Sequence, residues 1–208
     1  IKRVPGGKVS NWLHDNLKEG DQIPVHGPVG NFSAIDFPAE KVLFLSGGVG
    51  ITPVMSMSRW FFDTNANVDM VFVHSARTPK DIIYHRELEH MNSRINNFKL
   101  YLVCEKYEMG ESWAGYRGFL NKPMLQLMAP DYLEREVFCC GPTPYMHAVK
   151  RLLEAEGYDM SRYHEEAFGP TPPEVRADGK ELAAEAAEAP AVPLAEQNLM
   201  EFCETGKS

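Results

Sequence analysis

Several protein classes require features that this sequence has little of. It has four cysteines in 208 residues, Cys104, Cys139, Cys140 and Cys203, and none makes a C-x-x-C pair. Neighbours in a strand point to opposite faces, so Cys139 and Cys140 do not converge on one ion. This argues against a disulfide framework and against a complete zinc or iron–sulfur site, and favours a reducing cytoplasm. No apolar run approaches the roughly 18–20 residues that cross a bilayer, and no signal-peptide pattern is visible. Basic residues are in deficit: the formal net charge is −8, whereas binding nucleic-acid phosphates needs a basic surface. There is no internal repeat. With 44% hydrophobic and 24% charged residues, the composition is that of an ordinary globular chain, long enough for one domain and part of another.

Glycine is well supplied, and its placement is informative. Lys41-Val42-Leu43-Phe44-Leu45 is a short apolar run suited to a buried strand. It passes through Ser46-Gly47-Gly48-Val49-Gly50-Ile51-Thr52-Pro53 into a helical pattern with Val54, Met55, Met57, Trp60 and Phe61 on its apolar side. Proline suits the start of a helix, where its missing N–H would be unpaired anyway. At such a strand-to-helix turn, bare backbone N–H groups and the helix dipole attract a phosphate. The stretch is not a P-loop, because no lysine follows the last glycine. It also departs from G-x-G-x-x-G, since Thr52-Pro53 breaks the spacing. By itself the turn is as compatible with an unliganded connection as with a phosphate site.

Around this turn the chain divides into four stretches. Residues 1–39 read as a strand end (Ile1–Val4), a Pro5-Gly6-Gly7 turn, a short helix capped by Ser10, and a strand from Gln22 to His26. These pieces are too short to bury a core alone and match the closing part of a β-barrel. Residues 40–169 alternate strands (41–46, 68–75, 98–104, 135–140, 163–168) with helices (53–63, 81–95, 120–128, 143–157). That alternation predicts an α/β domain with a five-stranded parallel sheet and ligands at the strands' carboxyl ends. Residues 170–198 are rich in Pro, Ala and Glu, with six acidic against two basic residues. They read as an exposed linker that holds half of the net charge. Residues 199–208 begin a fresh strand, and the whole is expected to be a fragment of a longer protein.

Three further stretches bear on chemistry. Gly7-Lys8-Val9-Ser10 opens a helix and could hold an anion, with Lys2 and Arg3 nearby, although alone it reads more readily as a simple cap. Cys139-Cys140-Gly141-Pro142-Thr143-Pro144 is a second strand–turn–helix passage, and free cysteine there is more often a small buried hydrophobe. Glu165-Glu166-Ala167-Phe168-Gly169 ends the domain with adjacent carboxylates that a terminal strand does not explain. Arg77, at the end of the second strand, could meet a cofactor 2′-phosphate or a ribose. Asp81 close by favours the ribose, and hence NADH, with NADPH the other reading. The histidines, His74, His85 and His164 among them, show no ligand spacing.

Together, and in this order, these stretches resemble the ferredoxin–NADP reductase superfamily over residues 1–169. Gly7-Lys8-Val9-Ser10 is similar to its flavin-pyrophosphate motif, and Gly27-Pro28-Val29-Gly30-Asn31-Phe32 to its end-of-barrel motif. Gly47–Pro53 is similar to the nicotinamide-dinucleotide loop, Cys140-Gly141-Pro142 to the nicotinamide-side turn, and Glu166-Ala167-Phe168 to the final acidic-x-aromatic element. The family's Arg-x-Tyr-Ser/Thr flavin motif is absent from the chain. Met200-Glu201-Phe202-Cys203 resembles the start of a plant-type [2Fe–2S] ferredoxin domain, with Cys203 ahead of the ligand loop. That order of parts is similar to reductase components of Rieske-type demethylases acting on betaines and carnitine, and to hybrid-cluster-protein reductases.

The resemblance implies FAD and NAD(P)H as cofactors, and an oxygenase component or other redox protein as electron acceptor. It implies a pyrophosphate on Gly48, Gly50, Thr52 and Pro53, and a nicotinamide ring near Cys140, Gly141 and Pro142. Cys140 would act as a packing and polarising contact, Phe168 would pack by the flavin, and Glu166 would assist proton balance. A hydrolase with Cys140 as nucleophile and a non-catalytic dinucleotide-sensing module are the readings of other classes. Bound flavin in the full-length protein discriminates the sensor from the reductase. Past Ser208 the ferredoxin reading expects a C-x4-C-x2-C run; a continuing sequence without it would refute that reading.

Overall fold

The computed structural model describes residues 1–25, 30–109 and 112–168, together with the backbone of residues 198–201. In chain order the first elements are α1 (Lys8–Asn16), β1 (Gln22–Val25), β2 (Lys41–Gly47), α2 (Ile51–Asp63), β3 (Asp69–Ala76) and α3 (His85–Arg94). There follow β4 (Phe98–Cys104), β5 (Tyr116–Arg117), α4 (Lys122–Met128), β6 (Glu136–Cys140), α5 (Thr143–Ala155), β7 (Tyr163–Glu166) and β8 (Asn198–Glu201). The described elements fall into two compact units, one with α1, β1 and β8 and the other built from residue 31 onward. Among the described residues no helix is long and apolar enough to cross a membrane.

In the second unit the expected parallel sheet is present, with the order β5-β4-β3-β2-β6-β7. Five strands match those expected; β5 is a sixth, only two residues long, held by Val103 and Cys104 at the sheet edge. So short a strand leaves no periodicity in the sequence to detect. Strand order runs outward from β2 in both directions, so the sheet reverses between β2 and β6. Such a reversal opens a crevice at the carboxyl ends of the strands.

Alternating residues build two cores. Val42, Phe44, Met70, Phe72 and Phe138 pack with Ile51, Val54 and Met55 of α2 and Leu88 of α3. Leu43, Leu45, Val71, Val73 and Val137 pack on the other face with Leu125 of α4 and Val149 and Leu153 of α5. Strands covered on both faces need the continuously apolar sequences found here. Residues 31–39, assigned by sequence to the barrel part, belong to the second unit. Phe32 meets Phe138 edge-on at 5.8 Å and Phe37 stacks on His164 at 3.7 Å.

Several local expectations change. Helix α2 begins at Ile51, behind a 3-10 turn over Gly48–Gly50, so Pro53 sits third in the helix. Helix α3 begins at His85, because Thr78 and Asp81 close a separate capped 3-10 turn over Pro79–Asp81. In the first unit Gly7, rather than Ser10, precedes α1, and no side chain caps that helix. The Ser10 hydroxyl instead accepts the Val4 N–H at 3.1 Å. Residues Ile1–Val4 form no strand. Strand β1 pairs antiparallel with β8, Gln22 opposite Glu201, and His26, its expected last residue, lies outside the described residues. Gly27-Pro28-Val29, the linker at 170–197 and Cys203 lie outside the described residues.

At the amino ends of the strands, Arg135 is 2% exposed and ties three segments together. It donates to the Val42 and Asp69 carbonyls (3.2 and 3.0 Å), to the Asp69 carboxylate (2.8 Å) and twice to Asp131 (2.7 and 3.1 Å). Lys41 adds a 2.9 Å ion pair to Asp131. Burial alone would raise the Asp131 carboxyl, but hydrogen bonds from Arg135 and Lys41 outweigh it and hold the group at about 2. A depressed carboxylate stabilises the fold fully above its unfolded value near 4 and loses that contribution as the pH falls toward 2. Acid titration of thermal stability should therefore fall off between about pH 4 and 2, and Asp131→Asn should flatten that limb while lowering stability at pH 7. Arg135→Ala, which takes a donor from the Val42 and Asp69 carbonyls and leaves half-buried Asp131 to Lys41 alone, should cost about 1–3 kcal/mol.

Candidate functional site

The carboxyl ends of β2 and β6 bring two glycine turns into backbone contact. A Cβ on Gly50 would collide with the Cys140 carbonyl and the Gly141 nitrogen. A Cβ on Gly141 would stand 3.1 Å from the Gly47 nitrogen, and one on Gly47 would stand 3.1 Å from the Pro142 ring. Gly48 is different: its φ is +53°, with open space where a side chain would go. Gly47, Gly50 and Gly141 are thus bare for proximity and Gly48 for its backbone angle, and only Gly48 leaves room for a ligand.

From this contact α2 runs for 13 residues, and no side chain caps either its start or the preceding 3-10 turn. The positive end of the helix dipole is therefore open to an anion. Thr52 is exposed, but its hydroxyl donates to the Val49 carbonyl at 3.1 Å. With that proton engaged, a phosphate at this turn would rely on backbone N–H groups rather than on the Thr52 hydroxyl. Pro53 has no N–H and lies half-buried behind them.

Beneath the turns a polar layer crosses the sheet. Ser46 pairs in register with His74 on one side and with Cys140 on the other, and Cys140 with Glu166. Ser46 Oγ lies 2.9 Å from His74 Nδ1, both residues fully buried. His74 Nε2 has no partner. A bare ring nitrogen costs less to bury than an orphaned N–H, so the proton belongs on Nδ1, donated to Ser46. Burial, with a smaller contribution from His85, holds the His74 pKa down to about 4, so the ring is neutral at pH 7.

Cys140 is fully buried, and its burial, aided by the Glu166 carboxylate, pushes the thiol up to about 12. A thiol so far from its thiolate is no nucleophile at neutral pH. Among the described residues no histidine is hydrogen-bonded to it. The hydrolase reading therefore fails. Glu166 ends β7 half-buried, and Phe168 beyond it is 53% exposed.

Arg77 is exposed at the end of β3. Lys106, distant in sequence, donates its N–H to the Arg77 carbonyl at 3.0 Å and so stands beside it. Sequence spacing hides this second cation, because only the β3–β4 register makes the two neighbours. Ser46 and His74 did leave a trace, as polar residues closing apolar strands. In the first unit, Gly7 faces Ser10: a Cβ there would stand 2.8 Å from its hydroxyl. Lys2, Lys8 and Val9 are exposed around the uncapped start of α1, while Arg3 is engaged with Asp15 at 2.7 Å.

Comparisons with known proteins assign families to both parts of the chain. Residues 44–151 match the oxidoreductase NAD-binding domain family and residues 1–34 the oxidoreductase FAD-binding domain family. The whole chain is 80% identical to a glycine betaine monooxygenase reductase subunit of Pseudomonas aeruginosa, covering 57% of its length. Over 83% of the chain it is 48% identical to a stachydrine N-demethylase reductase subunit of Rhizobium meliloti, covering 49% of that protein. The chain thus spans about half the length of these curated relatives. Among solved structures, the FAD/NAD-binding domain of a nitric oxide dioxygenase from Vibrio cholerae superposes with a TM-score of 0.67 at 26% identity. That match covers 79% of this chain and 65% of the other.

The two reasons for glycine can be separated by substitution. Gly48→Asn should be tolerated better than Gly48→Ala, since asparagine accepts a left-handed backbone, and the alanine variant should cost about 1–2 kcal/mol in thermal unfolding. At Gly50 the order reverses: alanine should cost about 1–3 kcal/mol from overpacking and asparagine more.

Proposed function

The chain belongs to the oxidoreductase NAD-binding domain family, and from that premise we propose that it is the flavin- and nicotinamide-binding part of an NADH-dependent electron-transfer reductase. Its acceptor is the oxygenase component of a Rieske-type system that demethylates a betaine, reached through a [2Fe–2S] domain following the linker. The observation that carries this reading is the paired bare turns at the sheet reversal, leading into an uncapped helix. The printed names of the relatives, reductase subunits of betaine and stachydrine systems, supply the acceptor class.

Each residue has a bounded task. Gly48, Val49 and Gly50 present N–H groups to the pyrophosphate, and the dipole of α2 favours its charge. Thr52 and Pro53 keep the helix entry in shape. Arg77 meets the adenosine end, with Lys106 beside it; Asp81, held by Thr78, and Glu105 offset their charge and favour a ribose over a 2′-phosphate. Cys140, Gly141 and Pro142 wall the nicotinamide side. The buried Cys140 thiol excludes water and packs against the ring, carrying no charge. Glu166 assists proton balance at the flavin, and Phe168 packs by it. In the first unit the uncapped start of α1 at Gly7-Lys8-Val9-Ser10, with Lys2 exposed near it, fits the flavin pyrophosphate. When bound, the nicotinamide supplies a hydride and the flavin divides its electrons singly for an iron–sulfur centre. The protein's contribution is alignment. We place the protein in the cytoplasm, consistent with the free thiols of Cys104, Cys139 and Cys140.

Full-length protein, reconstituted with FAD, should bleach its flavin when mixed anaerobically with NADH, and should do so more slowly with NADPH. Failure to bind flavin would refute the reductase reading, and a strong NADPH preference would refute the cofactor assignment. Pairing the reduced protein with a betaine oxygenase and with hybrid-cluster protein should give turnover with the oxygenase; turnover with hybrid-cluster protein alone would transfer the reading to that acceptor.

A further inference from the structure

Strand β7 is short and polar, and it lies at the sheet edge, paired only with β6. Its sequence, Tyr163-His164-Glu165-Glu166, offers little apolar alternation to fix which residue stands opposite which, and strands of that kind slip readily. Yet β7 carries Glu166 to a place opposite Cys140. On one face of β7, Tyr163 packs against the core and Glu165 pairs with Lys150 at 3.5 Å. On the other, shared with Glu166, the anchor is His164. Its side chain is 11% exposed, and its Nε2 lies 2.6 Å from the Glu136 carboxylate. A carboxylate only accepts, so Nε2 carries the hydrogen and donates it. Glu136 opens β6 and also accepts from Arg162 Nε at 3.2 Å. The His164 ring has two aromatic neighbours: Phe37 stacks on it at 3.7 Å, and Phe138, its partner in register, lies at 5.0 Å.

We propose that His164 is a positioning residue: its bond to Glu136, backed by the Phe37 stack, locks the register of β7 and so holds Glu166 opposite Cys140. The assignment rests on the reductase reading above, in which Glu166 assists proton balance at the flavin. In the step it serves, the reduced nicotinamide loses a hydride and is oxidised, and the flavin takes that hydride and is reduced. Glu136 and Cys140 lie on one face of β6, four residues apart, and His164 and Glu166 on the same face of β7, two apart. A diagonal bond at one end of this ladder therefore fixes the pairing at the other. Without it only Arg162 holds Glu136, from a 3-10 turn outside the strand. The end of β7 is then free to shift, and catalysis is sensitive to displacements of about 1 Å.

The test uses full-length protein carrying FAD, with three readouts: flavin bleaching at saturating NADH, amide hydrogen exchange, and thermal melting to show that each variant folds. His164→Phe keeps an aromatic ring against Phe37 and removes the hydrogen bond. It should slow bleaching about 10-fold and speed exchange at the amides of Tyr163–Glu166 about 10-fold, leaving exchange in β3 unchanged. His164→Gln, whose amide nitrogen takes the place of Nε2, should restore both to within about threefold of wild type. Glu166→Gln should slow bleaching by about 10-fold or more. Adding His164→Phe to it should slow the reaction less than about twofold further, because His164 acts through Glu166. Should the phenylalanine variant not fold, His164→Met makes the same comparison. The assignment is overturned by wild-type bleaching or wild-type exchange in the phenylalanine or methionine variant, or by a His164→Gln variant as slow as phenylalanine. Equal slowing with and without Glu166 marks a bond that serves only the fold and overturns it as well, as does a Glu166→Gln variant at the wild-type rate. Wild-type protein that binds no flavin, or is not reduced by NADH, removes the reductase reading itself. Normal wild-type reduction beside an unaffected phenylalanine variant removes only the role of His164.

Discussion

Two backbones can touch only where no Cβ stands between them, and this site depends on that contact. Gly50 rests on the Cys140 carbonyl, and Gly47 on Gly141. The contact brings the ends of β2 and β6 together where the strand order reverses. It leaves the uncapped start of α2 facing outward. The polar layer of Ser46, His74 and Cys140 then lies directly beneath, shielded from water. Had any of these glycines carried a side chain, the turns would stand apart and the crevice would lose its floor.

The opposite edge of the sheet is built on charge. Arg135 satisfies two carbonyls and two carboxylates from different segments, and Lys41 completes the network. A buried guanidinium tolerates no loss of partners, which makes that edge rigid. The carboxyl edge carries little of this. Its buried polar atoms are few, His74 Nε2 lacks a partner, and Arg77 and Lys106 stand exposed. Rigidity at one edge and unclaimed donors at the other suit a sheet that holds a ligand at a single end.

The outline of the second unit was legible because its signals are local. Apolar runs such as Met70–Val73 mark strands, and Pro144 and Pro53 mark helix starts. Where a competing local bond intervenes, the reading slips. Asp81 bonds back to Thr78, so the long helix expected from residue 81 becomes a capped turn and a shorter α3. Ser10 looks like a helix cap, but its hydroxyl takes the Val4 N–H instead. Residues 31–39 follow a glycine-rich stretch and look like barrel, yet Phe32 and Phe37 find their partners on the sheet.

By itself the sequence determined the alternation of strands and helices, the parallel sheet, and the turns at which a dinucleotide could bind, because periodicity and glycine placement act over a few residues. It determined as well, through the order of its motifs, the family to which the chain belongs. Only the tertiary structure decided which glycines are bare for proximity and which for backbone angle. It also decided that Lys106 stands beside Arg77, and that His164 reaches Glu136. Those facts depend on strand register and on packing between segments about 30 to 100 residues apart, distances at which sequence spacing carries no geometric information.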